Sequence, residues 1–193
     1  MEYHFFAMMS RMKLIERWAL MRNSQSENIC EHSLEVAMIA HALAVISNKR
    51  FDNQLDEYKI ALIGMYHDST EIITGDMPTP IKYFNPEIRG AFKEVEKVAA
   101  DKLLAMLPED LKPSYEALFF KQEEDKELWR LVKAADKISA LIKCIEEAKA
   151  GNKEFIQAEE TLRKTIREMN IPEVDVFFEV FLGSFDKTLD ELN

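Results

Sequence analysis

Apolar residues recur at steps of three and four positions along most of the chain, which is the spacing of amphipathic α-helices. The first such run covers residues 4–16 and contains Phe5, Met8, Met9, Met12 and Ile15. The same pattern predicts helices over 29–48, over 55–73, from Pro86 through about 107, between Pro108 and about Gln122, and over 125–149, 153–169 and 173–192. No segment alternates apolar and polar residues as a half-buried strand does. The pattern therefore predicts an all-α fold, with residues 1–193 forming a single helical bundle.

Residues that start and stop helices stand at the predicted boundaries. Asn28 precedes the second helix and Glu31 follows three residues later, which is the sequence form of a capping box. Pro86 suits the first turn of its helix, and Gly75 and Gly151 suit helix ends. These residues support the predicted helix boundaries independently of the apolar periodicity.

Composition narrows the class of protein. A chain of 193 residues with 47% hydrophobic and 31% charged residues suits a globular domain with a sizeable core. The net charge of -10 argues against nucleic acid polymers and anionic membranes as partners. No stretch is expected to match the ~20 apolar residues of a membrane span. Because the N-terminus starts with an acid and lacks a small-residue cleavage site, it is read as a folded helix rather than a signal peptide.

The two cysteines indicate the cellular compartment of the protein. Cys30 and Cys144 lie within helical patterns and lack CxxC spacing. They are expected to be buried free thiols in a reducing environment, because structural disulfides belong to oxidising compartments. The sequence therefore predicts a cytoplasmic protein.

The candidate chemistry centres on residues 64–80, GMYHDSTEIITGDMPTP. His67 and Asp68 follow the apolar run KIALIGMY, and Glu71 follows His67 by four residues. On a continuous helix this spacing would place the imidazole and both carboxylates within one turn. Beyond Gly75, a stiff polar loop of residues 76–80 forms a plausible edge of an active site. A His-Asp pair alone is common by chance, so a metal site needs further ligands.

Two further ligand candidates lie elsewhere in the chain. His32 falls in the first turn of the helix over 29–48, whereas His41 lies half a turn away in angle and is expected to be structural. Asp136 borders an apolar stripe, where a carboxylate is costly to desolvate unless it is paired or binds a cation. A salt bridge to Lys133 or Lys137 would explain Asp136 alone about as well as a metal does.

Together these side chains form a set of two imidazoles and two carboxylates from three helices: His32, His67, Asp68 and Asp136. Mixed nitrogen and oxygen ligation suits Mn, Fe, Co, Ni or Zn better than Mg. Four protein ligands leave room for water and a substrate oxygen, which is what metal-assisted hydrolysis of a phosphate ester requires.

The order H…HD…D on a helical domain resembles the HD-domain metal-dependent phosphohydrolases. Further stretches make the likeness more specific: HFFAMMSRMKLIERW, LMRN, SEN followed two residues later by EHS, GMYHDSTEIITGDMPTPIKYFN, and KAADKISALIKCIEEAKAGN. They resemble the bacterial 5′-deoxynucleotidases of that superfamily, over nearly the whole chain. The resemblance implies hydrolysis of deoxyribonucleoside 5′-monophosphates to a deoxynucleoside and phosphate.

The resemblance also implies roles for particular residues. His32, His67, Asp68 and Asp136 fall on the metal ligands, and the two aspartates also on substrate contacts. Glu71 falls on the catalytic carboxylate, Arg17 on the residue that orients the phosphate, and Trp18 on the residue near the sugar. The substrate loop is represented by Asp76, Met77, Pro78 and Thr79. Ala19 departs from the family pattern, in which proline is more familiar, and this loosens the turn after Trp18.

The resemblance further implies a homodimer with one divalent metal ion, Co²⁺ or Mn²⁺ before Zn²⁺ or others. Three alternatives remain at this point: an HD-type phosphodiesterase, a dNTP triphosphohydrolase, and a helical binding protein without catalysis. The first would need extra histidines for a second metal, and the second more cations for a longer phosphate chain. The third is disfavoured because every ligand candidate and Glu71 are present. A ferritin-like di-iron bundle is excluded because the chain has no ExxH.

Overall fold

The computed structural model describes residues 2–78, 81 and 84–193. Its α-helices are, in order, α1 Phe5–Met9, α2 Ile29–Arg50, α3 Glu57–Tyr66, α4 Glu71–Thr74, α5 Pro86–Leu104, α6 Lys112–Phe119, α7 Lys126–Lys149, α8 Ile156–Glu168 and α9 Pro172–Val180. Short 3₁₀ segments cover Ser10–Leu14, Glu123–Asp125, Lys153–Phe155, Leu182–Ser184 and Leu189–Leu192. Within the described ranges no strand occurs, so the all-α expectation is confirmed.

The start of α2 follows from the capping box predicted at Asn28. Its side chain accepts hydrogen bonds from the backbone N–H groups of Cys30 and Glu31 at 3.0 and 3.1 Å. The Glu31 carboxylate accepts one in return from the Asn28 backbone N–H at 3.2 Å. The capping box provides hydrogen-bond partners for backbone N–H groups that otherwise have none at the start of a helix. It therefore sets the first turn of α2, in which His32 is fully buried.

Helices α2 and α3 run antiparallel and cross closely. Asn48 near the end of α2 bonds the Leu55 backbone ahead of α3, at 2.8 Å from its side-chain oxygen. At the other end, Gly64 lies against Ala37, and an added Cβ on Gly64 would sit 2.8 Å from the Ala37 Cα. Only glycine allows this approach, which carries the end of α3 to the beginning of α2.

Helix α7 packs on the same core and completes the frame of the site. The fully buried side chains include Val36, Leu43, Ile60, Ile63, Leu131, Ile138 and Leu141. They come from α2, α3 and α7, so three helices share one apolar interior. Their packing brings the segments around His32, His67 and Asp136 to one end of the bundle.

Several predicted boundaries were wrong. The run over 55–73 is not one helix: α3 ends at Tyr66, a turn covers 67–70, and α4 begins at Glu71. The buried Ser69 explains the break, because its hydroxyl donates to the Tyr66 carbonyl and its N–H bonds the same oxygen at 3.0 Å. The run over 4–16 likewise tightens into a 3₁₀ segment after Met9, and the last helix ends at Val180.

Two expectations about single features also need correction. Both cysteines are free as predicted, but Cys30 is exposed and only Cys144 is buried. By length and composition, α2 is long and apolar enough to cross a membrane, contrary to the sequence-based expectation. Half of its most apolar stretch is buried inside the bundle, as in the core helix of a globular protein.

Candidate metal and phosphate site

Two imidazoles face each other where the start of α2 meets the end of α3. His32 lies in the first turn of α2, and His67 is the residue that follows α3. Their ring centroids are 5.4 Å apart, with the ring planes inclined at 54°. His32 is fully buried and the His67 side chain is 9% exposed. The two rings therefore share a pocket that is largely closed to solvent.

Hydrogen bonds determine which nitrogen of each ring carries a proton. His32 Nδ1 lies 3.0 Å from Ser139 Oγ, and Ser139 donates its own proton to the Glu35 carboxylate at 2.5 Å. His67 Nδ1 lies 2.7 Å from the Gly64 carbonyl oxygen, which can only accept. Both Nδ1 atoms are therefore donors, so in the neutral form of each ring Nε2 carries the lone pair.

The two Nε2 atoms are the ones that a metal ion would use. Each is buried, and neither has a hydrogen-bond partner among the residues that the structure describes. A buried acceptor without a partner is costly, and a cation held between two such nitrogens removes that cost. Because their Nδ1–H groups are bonded on the far side, the rings already have the orientation that metal-binding histidines adopt.

Two carboxylates complete the cluster. Asp68 Oδ2 lies 3.2 Å from His67 Nε2 and 3.5 Å from His32 Nε2. Asp136, from α7, places Oδ1 3.3 Å from His32 Nε2. Its other oxygen pairs with Lys137 Nζ at 2.9 Å, so the salt bridge and the approach to His32 coexist. The structure thus brings donor atoms of His32, His67 and Asp68 within 4.8 Å of one another, and Asp136 approaches this group on the His32 side. This donor set fits one divalent cation.

The ionisation of the two carboxylates also suits a cation. Burial opposes ionisation of Asp68, but the charge of His67 outweighs it and the pKa of Asp68 falls below its ordinary value. Burial likewise opposes ionisation of Asp136, yet Lys137 and His32 hold its pKa well below the usual range. The pKa of His32 is lowered by burial and then by Arg17. Burial alone would lower the pKa of His67, but Asp68 shifts it upward.

Arg17 supplies a cation at the edge of this cluster. Its Nε donates to the Glu27 carboxylate at 3.0 Å, and its Nη1 lies 3.6 Å from Asp68 Oδ2. Burial alone would lower the pKa of Arg17, but Asp68 and Glu27 raise it overall, so the guanidinium stays charged. In an acidic protein, this places a positive group where an anionic substrate could bind.

Trp18 lies beside Arg17 in an uncommon backbone conformation. Its φ of 58° is in the left-handed region, which bulky residues rarely adopt. The indole Nε1 donates to Glu27 at 3.0 Å, and the ring centroid lies 5.3 Å from that of Phe155. Burial raises the pKa of the nearby Asp76 carboxyl, and the Trp18 backbone N–H counteracts part of that rise. An indole held by Glu27 and Phe155 is well suited to forming a pocket wall.

The remaining predicted residues lie on the segment that follows Asp68. Glu71 is buried and is the first residue of α4. Asp76 interacts with Arg17 as well as with Trp18, and burial raises the pKa of its carboxyl. Met77 and Pro78 are half-buried in the loop after Gly75. Thr79 lies outside the described residues, so its predicted place in the substrate loop stays a prediction.

Three residues of the site had no role in the sequence-based interpretation: Glu27, Glu35 and Ser139. Glu35 follows His32 by three residues on α2, and Ser139 follows Asp136 by three residues on α7. A polar residue one helical turn after a ligand candidate is the signal that could have identified both. Glu27 lies in the stretch SEN, which carried part of the resemblance, but its contacts depend on how the chain returns after Trp18.

Comparison with known proteins agrees with this geometry. A family model described as 5′-deoxynucleotidase YfbR-like matches residues 4–185. The chain belongs to this family. Curated family members named 5′-deoxynucleotidase, from Yersinia pestis and Yersinia pseudotuberculosis, are each 52% identical over 190 residues, covering 98% of this chain and 96% of theirs. The predicted resemblance to the HD-domain 5′-deoxynucleotidases is thereby confirmed.

Solved structures support the fold assignment. An HD-domain phosphohydrolase from Listeria innocua superposes with a TM-score of 0.79 at 24% identity, covering 94% of this chain and 88% of that one. An HD phosphohydrolase of cyanophage S-2L, bound to dA and one catalytic Zn²⁺, gives 0.67 at 18% identity, covering 94% and 96%. At these identities the two structures show the HD-domain fold, which confirms the predicted helical bundle of the family.

Proposed function

We propose that this protein is a metal-dependent 5′-deoxynucleotidase that converts deoxyribonucleoside 5′-monophosphates to a deoxynucleoside and phosphate. One observation carries the proposal: two buried imidazole nitrogens with free lone pairs converge with Asp68 and Asp136, beside the guanidinium of Arg17. Membership of a family whose curated members carry that activity in their names supports the substrate class. We further propose that residues 1–193 form one HD-type phosphohydrolase domain.

We assign one divalent metal ion to His32, His67, Asp68 and Asp136. When bound there, such an ion supplies Lewis-acid stabilisation of the negative charge on phosphoryl oxygens. Two imidazoles and two carboxylates suit Mn²⁺, Co²⁺ or Zn²⁺, and we propose Co²⁺ or Mn²⁺ as the activating ions. The hydrogen bonds from Nδ1 of each ring, to Ser139 and to Gly64, support this assignment because they keep the rings in a ligating orientation.

The protein side chains have separate tasks in this proposal. Arg17 binds the phosphate through its terminal nitrogens, because its Nε is already bonded to Glu27. Glu71, the buried carboxylate that opens α4, accepts a proton from the attacking water. The water oxygen forms a bond to phosphorus, the bond from phosphorus to O5′ breaks, and O5′ takes up a proton from solvent as the deoxynucleoside leaves. Trp18 and the loop of Asp76, Met77, Pro78 and Thr79 enclose the nucleoside.

Phosphate release from a panel of nucleotides tests the activity. The panel contains deoxyribonucleoside and ribonucleoside 5′-monophosphates, a dNTP and a cyclic dinucleotide, each with EDTA or with added Co²⁺, Mn²⁺ or Zn²⁺. We expect phosphate from the deoxyribonucleoside monophosphates only with metal present. Hydrolysis of the cyclic substrate would favour a phosphodiesterase, and release of triphosphate from the dNTP a triphosphohydrolase. Absence of turnover with every substrate and metal would favour the remaining alternative, a helical binding protein without catalysis.

Arg17→Lys is expected to harm activity almost as much as Arg17→Ala. A guanidinium donates to Glu27 through Nε and still presents terminal N–H groups to two phosphoryl oxygens, whereas an ammonium offers only a single charged centre. Hydrogen bonds to charged groups are worth ~1.5–3 kcal/mol, so we expect kcat/KM to fall about 10- to 100-fold in both variants. Steady-state kinetics with dAMP provide the measurement. Wild-type kinetics in Arg17→Lys would show that Arg17 contributes only its positive charge and not the geometry of the guanidinium group.

Trp18→Ala is expected to narrow the preference for dAMP over AMP. An indole against C2′ leaves a 2′-hydroxyl crowded and without a hydrogen-bond partner, and apolar pockets reject an added hydroxyl by about 100-fold at most. The ratio of kcat/KM for dAMP to kcat/KM for AMP should therefore decrease, by about 100-fold at most, mainly because AMP becomes a better substrate. An unchanged ratio would assign the discrimination to the substrate loop at 76–79 instead.

We propose a cytoplasmic homodimer assembled through the exposed side of α2 and α3. Because Ala37 faces Gly64 and the core lies on one side of this antiparallel pair, helical geometry places four exposed residues on the other side: Leu34, Met38, Tyr58 and Met65. An apolar side of this kind usually meets a partner. Light scattering should give a dimer for wild type and a monomer for Met38→Glu, with Val98→Glu on α5 as an exposed control. A monomeric wild type would contradict this assembly.

A further inference from the structure

One carboxylate oxygen joins the two side chains to which we assign the phosphate and the sugar. Glu27 Oε2 accepts a hydrogen bond from Arg17 Nε at 3.0 Å and another from Trp18 Nε1 at 3.0 Å. The Arg17 and Glu27 side chains are only 11% and 13% exposed, so solvent screens their interaction little. The shared acceptor sets the position of the guanidinium relative to the indole, which neither side chain could set alone.

The backbone around Glu27 is itself held in register. Glu16 and Asn28 form an antiparallel bridge, and the Arg17 N–H donates to the Glu27 carbonyl at 2.9 Å. Glu27 therefore comes back beside Arg17 at a defined place, immediately before the capping box that begins α2. Since α2 carries His32 in its first turn, the Glu27 carboxylate is tied to the same frame as the metal site.

Trp18 needs such support because its backbone is strained. A φ of 58° is disfavoured for a bulky side chain and persists only where the surroundings hold it. Phe155 packs against the ring, with the two ring centroids 5.3 Å apart. Among the described residues that contact Trp18, Glu27 is the one that accepts a hydrogen bond from the indole nitrogen. Glu27 thus sets the direction in which the indole N–H points.

We propose that Glu27 is a positioning residue that aims Arg17 at the phosphate and Trp18 at the sugar, and so couples phosphate binding to the choice of deoxyribose. The proposal rests on the function proposed above, because it takes the roles of Arg17 and Trp18 from it. Glu27 contacts neither the metal cluster nor, by this proposal, the substrate. Its effect on catalysis passes through the two residues that it holds.

Two substitutions of Glu27 separate its two contacts. Glu27→Ala removes both, so we expect a higher KM for dAMP and AMP and a smaller dAMP-to-AMP ratio, with kcat/KM for dAMP about 10- to 100-fold lower. Glu27→Gln keeps a neutral acceptor oxygen for the indole but loses the charge that strengthens the bond to Arg17. It should therefore retain more of the dAMP-to-AMP ratio than Glu27→Ala while its KM remains raised for both nucleotides.

A double-mutant cycle tests whether Glu27 acts through Trp18. In Trp18→Ala, adding Glu27→Ala should change the dAMP-to-AMP ratio no further, because the indole that Glu27 orients is already absent. An additive loss would overturn the coupling. Glu16→Gln serves as the matched control: it removes one carboxylate charge next to Arg17 from an exposed side chain and should leave the ratio and both KM values unchanged.

A readout that does not require turnover completes the test. In a Trp129→Phe background, Trp18 is the only tryptophan, and its fluorescence should become more accessible to acrylamide in Glu27→Ala than in the parent, at unchanged metal content and melting temperature. Equal quenching, or a wild-type ratio and KM in Glu27→Ala, would overturn the proposal. Absence of phosphate release by wild type would instead count against the proposed function, while the quenching comparison would still decide whether Glu27 holds Trp18.

Discussion

Asp136→Ala is expected to lose its bound metal ion and, with it, all measurable phosphate release. Asp136 is the ligand candidate from α7, and its Oδ1 lies 3.3 Å from His32 Nε2. Lys137 and His32 hold its pKa well below the usual range, so near neutral pH it is a carboxylate ready to bind a cation. Without it, only donors from α2 and from the segment after α3 remain. Metal analysis of the purified variant and the dAMP assay provide the measurements.

Two comparisons guard against unfolding as the cause of that loss. Asp101→Ala removes an exposed aspartate from α5 and should keep full metal content and activity. EDTA treatment of the wild type should abolish activity, and added Co²⁺ or Mn²⁺ should restore it without any change in sequence. Full activity of metal-stripped wild type, or of Asp136→Ala, would refute the metal-dependent mechanism.

Glu71→Ala is expected to retain metal and substrate while losing about 10²- to 10⁴-fold in kcat, which is the usual contribution of general-base catalysis. Glu71 is buried at the start of α4, three residues beyond Asp68. Glu71→Gln keeps the volume of the side chain but cannot accept the proton, so it should lose activity to a similar extent. Single-turnover rates with dAMP, together with metal content, test this.

The variants of Glu71 also distinguish a base from a ligand. If Glu71→Gln and Glu71→Ala bind metal as wild type does, the loss lies in the chemistry. Loss of the ion from both would instead make Glu71 a further ligand. A wild-type rate in Glu71→Gln would show that the proton passes to another group.

Much of the fold follows from interactions between close neighbours in sequence. The capping box of Asn28 and Glu31, the proline at the start of α5 and the positive φ of Gly75 and Gly151 at helix ends all appear where local chemistry predicted them. Such features involve residues within one turn, so the sequence displays them directly. The break of the run over 55–73 was missed because the Ser69 side chain competes for the Tyr66 carbonyl, which periodicity does not reveal.

The candidate site also combines features that the sequence predicts with features that only the tertiary structure shows. By itself, the sequence determined the all-α class and the starts of α2 and α5, and it proposed His32, His67, Asp68, Asp136 and Arg17 as site residues, because ligand chemistry and family likeness are properties of residue type and order. Only the tertiary structure decided that Ser139, 107 residues beyond His32, orients its ring, and that Glu27 accepts from both Arg17 and Trp18. Those contacts depend on how α7 packs on α2 and how the chain returns after Trp18. The spacing of Ser139 from Asp136 could mark Ser139 as a candidate, but it does not reveal that Ser139 meets His32.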